Sequence, residues 1–427
     1  MLTLDNKSVA LAGLGVSNRA VIEYLERYKI PFKVYLSKIE ELNDYKNAVY
    51  CEDNFNIHAD IIFRSPSIRP EKIKGSGQIF TEIGFSLENS PCYKIGITGS
   101  DGKTTTSTLI YEMLKDNYPS YLSGNIGIPL ITRIDEITKN SCVVCELSSF
   151  QLFDASPSLD CAVITSISEN HLDWHKSLLE YIYAKRNILK RAKRAVLCYD
   201  CEYKCFFTGD NLTYYSLKDL SSFCGNGCHY VYLKNDTIFY DNKPLFKRQL
   251  FKLIGEYNLK NLMASIGACY PLVDIEKIKN VAMSFKGVSH RCEKVRELNG
   301  VTFVDSSIDS TPQRAISTLS AFPKSKTIAI MGGYDKNLSY HVLKNTLRDL
   351  KGIIIFGQNR NKLIEVAPKG AMVVNTMKEA VNLAYKMSKR GDFIVLSPAS
   401  ASFDMYKNYK EKSDAFIKEI GALDGKD

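Results

Sequence analysis

The chain has 427 residues, 45% of them hydrophobic and 24% charged, with a net charge of +9. That length corresponds to two to four domains at roughly 100–200 residues each, and the apolar content suits several folded cores rather than a disordered chain. No apolar run reaches the ~18–20 residues of a membrane span, and the start, MLTLDNKSVALAGLG, lacks the basic and apolar regions of a secretory signal. A cytoplasmic location without a membrane partner is therefore expected.

In chain order, a strand at Ser8–Ala12 runs through Gly13-Leu14-Gly15 into a helix that reaches Tyr28, and a second strand follows at Pro31–Leu36. This is a βαβ beginning. Pro66, Pro70 and the pair Gly75 and Gly77 read as loop markers, and they close a first segment, 1–91. A second segment, 92–286, opens with a strand at Tyr93 and has further short apolar strands at Cys142–Leu147, Cys161–Ser166 and Ala195–Cys198. Helical stretches between them predict a mostly parallel sheet with helices on both faces. Residues 206–250, rich in Tyr, Phe and β-branched residues, read as a small antiparallel addition, and a helix follows from about Asn258 to Tyr270. The third segment, 287–427, alternates strands at Val301–Val304, Thr327–Met331, Gly352–Phe356 and Phe393–Leu396 with helices. The expected class is α/β with three domains: a Rossmann-like first, a central ATPase-type parallel sheet, and a Rossmann-like third.

Two features have competing readings. Cys198, Cys201, Cys205, Cys224 and Cys228 lie close together; they are either reduced structural thiols or an irregular zinc site. The basic run Lys185–Arg194 is either a nucleic-acid patch or a solvated helix face, and the apolar spacing of Ile188, Leu189 and Ala192 favours the face. No nucleic-acid partner is expected. A net positive charge also steers small polyanionic substrates.

The chemistry concentrates around Gly99-Ser100-Asp101-Gly102-Lys103-Thr104-Thr105, which lies between a strand and a helix. Backbone N–H groups in such a turn face an anion, and the helix N-terminus adds the positive end of its dipole. Lys103 would reach the β- and γ-phosphates of ATP, and the Thr104 hydroxyl would reach magnesium. The full Walker pattern calls for a glycine where Ile97 stands, so this is a shorter GxxGKT form. Gly13-x-Gly15 resembles a dinucleotide turn, but Asn18 occupies the third glycine position and Tyr35-Leu36-Ser37 offers no acid for a ribose. It is either a tight turn or a cradle for another nucleotide's diphosphate. Glu146, ending an apolar strand, is a magnesium ligand or a salt-bridged carboxylate. His171, in NHLDWH, is a metal or phosphate ligand or a hydrogen-bonded loop histidine. Lys185 reads alone as a surface lysine, and Asn258 and Asn261 as helix caps. Arg291 suits a phosphate or ribose, and Asp305 sits at a strand end where such sheets place site residues.

The order and separation of these motifs resemble the Mur ligase family over essentially the whole chain. The markers are GITGSDGKTTT (96–106), GNIGIPL (124–130), ELSSFQL (146–152), NHLDWH (170–175), YAKR (183–186), GEYNLKN (255–261), HRCE (290–293), GGYDKN (332–337) and LSPASASFD (396–404). Within the family, SSFQL with SPASASFD resembles the branch that adds D-glutamate. The DNPR motif of the diaminopimelate-adding branch is missing, and Thr104 stands where folate relatives have glycine.

The resemblance implies ATP-dependent joining of D-glutamate to UDP-N-acetylmuramoyl-L-alanine through an acyl phosphate, in peptidoglycan precursor synthesis, by a monomer with two magnesium sites. It implies that Lys103, Thr104 and Thr105 hold phosphates and magnesium, that Glu146 and His171 each bind a magnesium ion, and that Lys185 is carbamylated. It places Asn258, Asn261, Arg291 and Asp305 on the adenosine side. Gly15, Val16, Ser17, Ser65, Asn125, Ser148 and Gln151 fall on the UDP-sugar side, and Lys336, Ser402 and Tyr409 on the D-glutamate side. The alternatives are a family member using another amino acid, a non-catalytic or amidotransferase-partner relative with a zinc site, and a simple nucleotide switch. The sequence departs from the family at Asp305–Thr311, where Ser307 replaces a lysine, at Tyr409, commonly Phe, and at Leu36-Ser37, where an acidic residue usually meets uridine.

Overall fold

The computed structural model describes residues 4, 6–37, 45–52, 54–172, 174–224, 227–335 and 338–425. They divide into two compact units, Met1–Phe251 with Leu259–Ser284, and Lys252–Asn258 with Phe285–Asp427. The architecture is α/β, with three sheets among the described residues.

The first unit holds two of them. Strands β1 (Val9–Ala12), β2 (Phe32–Leu36), β3 (Ala48–Tyr50), β4 (Phe55–Arg64) and β5 (Ile73–Phe80) form a parallel sheet in the order β3-β2-β1-β4-β5. The turn after β1 has Gly13 at φ +77°, and Gly15 caps the helix Val16–Arg27. Asn18 is buried, and its Nδ2 donates to the carbonyls of Gly13 (2.8 Å), Ala12 and Phe63 (both 3.2 Å). An amide that fastens the turn to two strands therefore occupies the place where a dinucleotide fold has its third glycine.

Gly75 and Gly77 are not loop residues. They lie inside β5, at φ +109° and +140°, where a Cβ would run into the backbone carbonyls of Ile57 and Ala59 on β4. Glycine is required there by close strand approach, and a glycine pair read as turn punctuation carries no sign of that.

The second sheet has the order β14-β13-β12-β11-β10-β9-β6-β8-β7, built from β6 (Tyr93–Thr98), β7 (Ser120–Gly124), β8 (Cys142–Glu146), β9 (Cys161–Ile164), β10 (Ala195–Cys198), β11 (Leu212–Ser216), β12 (His229–Lys234), β13 (Thr237–Tyr240) and β14 (Lys243–Lys247). The antiparallel addition is smaller than its composition suggests. β11 and β12 continue the parallel sheet, and only the β12-β13-β14 pairs are antiparallel. Aromatic, β-branched composition marks strands but not their direction.

One hydrophobic cluster runs through both sheets and their helices, joining Leu11 (β1), Val21 of the helix Val16–Arg27 and Phe63 (β4) to Val143 and Cys145 (β8) and Leu152 of the helix Ser149–Leu152. Arg64, fully buried at the end of β4, ties them further. Its guanidinium pairs with Asp154 at 2.5 Å and donates to the carbonyls of Phe150 (3.0 Å) and Ile68 (2.7 Å).

The second unit contains β15 (Glu293–Leu298), β16 (Val301–Asp305), β17 (Thr327–Met331), β18 (Gly352–Ile355), β19 (Met372–Val373) and β20 (Phe393–Leu396), ordered β15-β16-β20-β17-β18-β19 with only β15 antiparallel. Its two faces carry separate apolar clusters, one around Phe303, Ile330 and Phe416 and one around Val304, Met331 and Leu347.

Replacing Arg64 with Met takes a donor from Asp154 and from the four carbonyls of Ser65, Pro66, Ile68 and Phe150. We expect a loss of about 3 kcal/mol in the first unit's stability, to be measured by denaturant unfolding of the full chain.

Candidate active site

The phosphate loop leaves β6, whose neighbours are β8 and β9, and enters the helix Lys103–Leu114. It therefore emerges at the carboxyl ends of parallel strands, the usual ligand edge of such sheets. Its shape is set by two glycines. Gly99 has φ +150°, where a Cβ would strike Thr165 Oγ1, and Gly102, the helix N-cap, has φ +82°, where a Cβ would strike Asn261 Oδ1.

The segment after β9 braces the loop. Ser100 N donates to Ser166 O (2.6 Å), Asp101 N to Ser166 Oγ (3.0 Å) and Thr165 Oγ1 to Asp101 O (2.5 Å). Ser100 Oγ accepts from Ser168 N and lies 2.9 Å from the Tyr181 hydroxyl. Thr105 is buried in the helix's first turn.

Three polar side chains converge on the start of that helix. Thr104 Oγ1 donates to Glu146 Oε2 at 2.6 Å, and Asn125 Nδ2 donates to Glu146 Oε1 at 3.0 Å, with Glu146 buried at the end of β8. A hydroxyl against a carboxylate is an oxygen donor set that fits magnesium. Asn261 lies against Gly102 and its buried Nδ2 has no hydrogen-bond partner among the described residues. An orphaned buried donor beside a phosphate loop fits an anionic ligand.

Lys103 Nζ folds back onto the carbonyls of Gly99 (2.8 Å) and Ser100 (2.9 Å). Lys185 is no surface lysine. It sits in the helix Leu178–Arg186, is 2% exposed, and donates from Nζ to the same Gly99 carbonyl at 2.7 Å, over the Tyr181 ring. Burial first, and the Lys103 charge second, hold its amine well below the usual lysine range.

His171 has φ +56°, its N–H donates to Asn170 Oδ1 (3.0 Å), and its ring lies 4.9 Å from Phe150, edge to face. Ser148 and Gln151 form a reciprocal capping box at the short helix Ser149–Leu152, so both assigned acceptor residues already hold each other. On the first sheet, Gly15 faces Ser65: a Cβ on Gly15 would lie 3.0 Å from Ser65 Oγ. Val16 is strongly exposed beside it and Ser17 follows in the same helix turn.

In the second unit, Asp305 ends β16 fully buried. It accepts from Ser413 Oγ (2.5 Å) and Ser307 N (2.8 Å) and lies 3.0 Å from His290 Nδ1. Tyr409, at the start of the helix Tyr409–Gly421, meets the His290 ring at 5.5 Å. Arg291 directly follows His290, at the turn before β15. Asn258 belongs to this unit and donates to Ile254 O (2.7 Å). Ser402 is buried, and its carbonyl accepts from Tyr406 N (3.0 Å). Ser307, in place of the expected lysine, is buried with an unpartnered Oγ. Lys336 lies outside the described residues.

The cysteines between 198 and 228 are free. Among the described residues the one group of three metal-ligating side chains within reach of a single ion is His290, Glu293 and Asp305. The cysteines form no such group.

Residues 97–269 match the Mur ligase middle domain. The UDP-N-acetylmuramoylalanine–D-glutamate ligase of Acetivibrio thermocellus is 37% identical over 463 residues, covering 99% of this chain and 97% of that one. The chain belongs to the Mur ligase family. The ligase of the same description from Clostridium kluyveri is 38% identical, covering 97% of this chain and 96% of that one. Among solved structures, the MurF ligase of Thermotoga maritima in complex with ADP has TM-score 0.61 at 18% identity, covering 99% and 98% of the two chains. UDP-N-acetylmuramate-alanine ligase MurC of Thermotoga maritima has TM-score 0.60 at 17% identity, covering 98% and 100%. These likenesses to Mur ligase structures show the shared fold.

Sequence inspection missed the bracing role of Asn18, Arg64, the Ser100–Tyr181 contact, and the pairing of Arg69 and Trp174. Each involves at least one partner far off in the chain, and no local spacing marks it. A Gly102→Ala enzyme tests the loop geometry. A left-handed alanine costs about 1–3 kcal/mol and its methyl meets Asn261, so the affinity for a fluorescent ATP analogue should fall about tenfold or more.

Proposed function

We propose that this chain joins D-glutamate to UDP-N-acetylmuramoyl-L-alanine with cleavage of ATP to ADP and phosphate, in the cytoplasmic synthesis of peptidoglycan precursors. The observation that carries the reading is the convergence of Lys103, Thr104, Glu146 and Lys185 around one phosphate loop, in a chain whose full-length relatives bear that D-glutamate ligase description. The working division is 1–91 for the UDP-sugar, 92–286 for ATP and 287–427 for the amino acid.

In the first step the L-alanyl carboxylate attacks the γ-phosphorus and ADP leaves. In the second the amine of D-glutamate attacks the acyl phosphate, an amide bond forms, and inorganic phosphate leaves with loss of the amine's proton. Phosphoryl transfer of this kind needs positioning and charge neutralisation more than covalent help. The loop amides of Gly99–Gly102 and the ammonium of Lys103 bind the phosphates, with Thr105 in the first helical turn. Thr104 and Glu146 hold one magnesium ion, and His171 and Lys185 serve the second. Bound magnesium screens the charge of the β- and γ-phosphates.

Asn261, with Asn258, Arg291 and Asp305, takes the adenosine side. Gly15, Val16, Ser17, Ser65, Asn125, Ser148 and Gln151 take the acceptor. Lys336, Ser402 and Tyr409 receive D-glutamate.

Lys185 is proposed to be carbamylated. The unprotonated amine of a lysine adds to carbon dioxide, forming an N–C bond and releasing a proton. Its low-pKa environment supports this, because burial and Lys103 both disfavour the ammonium. The product anion relieves the crowding of two cations on Gly99 O and can orient magnesium.

Two outcomes are expected. Purified enzyme with UDP-N-acetylmuramoyl-L-alanine releases ADP on addition of D-glutamate and not of L-alanine, L-lysine or diaminopimelate; equal release with another amino acid overturns the assignment. Lys185→Ala loses activity by about 100-fold or more, as expected when a metal-orienting anion is removed, and short carboxylates or bicarbonate restore part of it. Full activity in that variant removes the carbamate.

A further inference from the structure

The acceptor-side segment after β4 and the segments that carry His171 and Lys185 meet at one arginine. Arg69 sits four residues after Ser65, and its side chain is 16% exposed. Its guanidinium donates from Nη1 to the Trp174 carbonyl at 2.5 Å and from Nη2 to Glu180 Oε1 at 3.0 Å, while Nε and Nη2 also engage Glu71. The Arg69 Cζ lies 4.7 Å from the centroid of Trp174 and 5.0 Å from that of Phe153. In return, Trp174 Nε1 donates to the Ser67 carbonyl at 3.0 Å.

Both partners of Arg69 belong to the reaction centre's frame. Trp174 closes the turn that holds His171: its N–H donates to the His171 carbonyl at 3.1 Å, and the next residue, His175, donates to the same oxygen at 2.9 Å. Glu180 lies in the first turn of the helix that ends on Lys185 and Arg186, and its carboxylate also accepts from Lys176 N at 2.8 Å. His171 adopts a left-handed backbone that non-glycine residues seldom hold without support. A charged, bidentate and stacked arginine fixes geometry more tightly than a lysine or a neutral side chain.

We propose that Arg69 and Trp174 form a joint through which the acceptor-binding segment Ser65–Arg69 positions the His171 turn and the Lys185 helix, so that acceptor occupancy tightens the second magnesium site. Arg69 is a positioning residue, not a catalytic one. The inference rests on the roles given above to Ser65, His171 and Lys185, and it adds a coupling between acceptor and metal that those roles alone do not require.

Trp174 is the chain's single tryptophan, so it reports on the joint directly. Titrating the full-length enzyme with UDP-N-acetylmuramoyl-L-alanine, without ATP or magnesium, should change its emission saturably in the wild type. The change should be lost in Arg69→Met, although calorimetry still detects acceptor binding. In Arg69→Met the kcat should fall and the magnesium concentration for half-maximal rate should rise, each by about 10- to 100-fold, as when a group behind a metal ligand is removed. The KM for ATP should stay unchanged, and Arg69→Lys should recover part of both losses.

If Arg69→Met fails to fold, judged by loss of ADP binding, Trp174→Phe takes its place. It keeps an aromatic ring, loses the bond to Ser67, and should raise the magnesium requirement in the same direction. Unchanged emission on saturation with acceptor, or an unchanged magnesium dependence in the folded variant, overturns the joint. His171→Ala and Lys185→Ala separate the two levels. If both retain full activity, the roles assigned under the proposed function fail; if both are crippled while Arg69→Met behaves as wild type, the joint alone fails.

Discussion

Two lysine ammonium groups share one carbonyl oxygen. Lys103 and Lys185 come from two separate helices, Lys103–Leu114 and Leu178–Arg186, yet both donate to Gly99 O, at 2.8 and 2.7 Å. One carbonyl dipole does not offset two like charges, one of them buried, so the arrangement disfavours the ammonium form of Lys185 and favours anions nearby. Much else in the first unit serves this meeting. Gly99 is glycine because Thr165 leaves no room for a Cβ, the strands β6 and β9 bring Thr98 and Thr165 side by side, and Tyr181 packs its ring against the Lys185 Nζ while its hydroxyl meets Ser100.

Electrostatics then order the start of the loop helix. Glu146 is the buried acid that faces the loop helix, and its two oxygens are divided between Thr104 and Asn125. A metal displacing either contact finds a carboxylate already oriented, without the reorganisation that would slow chemistry. Among the described residues Asn261 keeps an unpaired buried donor at the loop's glycine, a desolvation cost that an acceptor placed there would relieve.

How much of this could be read from the sequence depended on the reach of each interaction. The phosphate loop was legible because strand, glycine turn, lysine and helix are contiguous. The parallel α/β class was legible because apolar strands alternate with amphipathic helices, and the strands of the third segment fall where their apolar runs stand. Lys185 looked ordinary because its significance lies in a carbonyl 86 residues away. Gly75 and Gly77 were misread because a glycine needed for close strand contact has the same letter as one needed for a turn. The breadth of the antiparallel part was overstated because strand direction is decided by pairing, which composition does not encode. Family resemblance supplied what local physics did not: it singled out Lys185 and the third segment's residues by position, while the turn around Asp305 departs from that pattern and buries Ser307 where a cation was expected.

The hydrophobic cluster that runs through the first two sheets has a thermodynamic meaning of its own. Three sheets do not make three folding units here, because Leu11, Phe63, Val143 and Leu152 belong to one continuous core and the Arg64–Asp154 pair crosses between the same two sheets. Cooperativity follows shared burial rather than sheet count. A destabilising change in either of the first two sheets is thus spread across both, and a change that stabilises the first also protects the phosphate loop from local opening. The two faces of the third sheet each carry a core of their own, separate from that shared one, so a change in stability there need not loosen the phosphate loop.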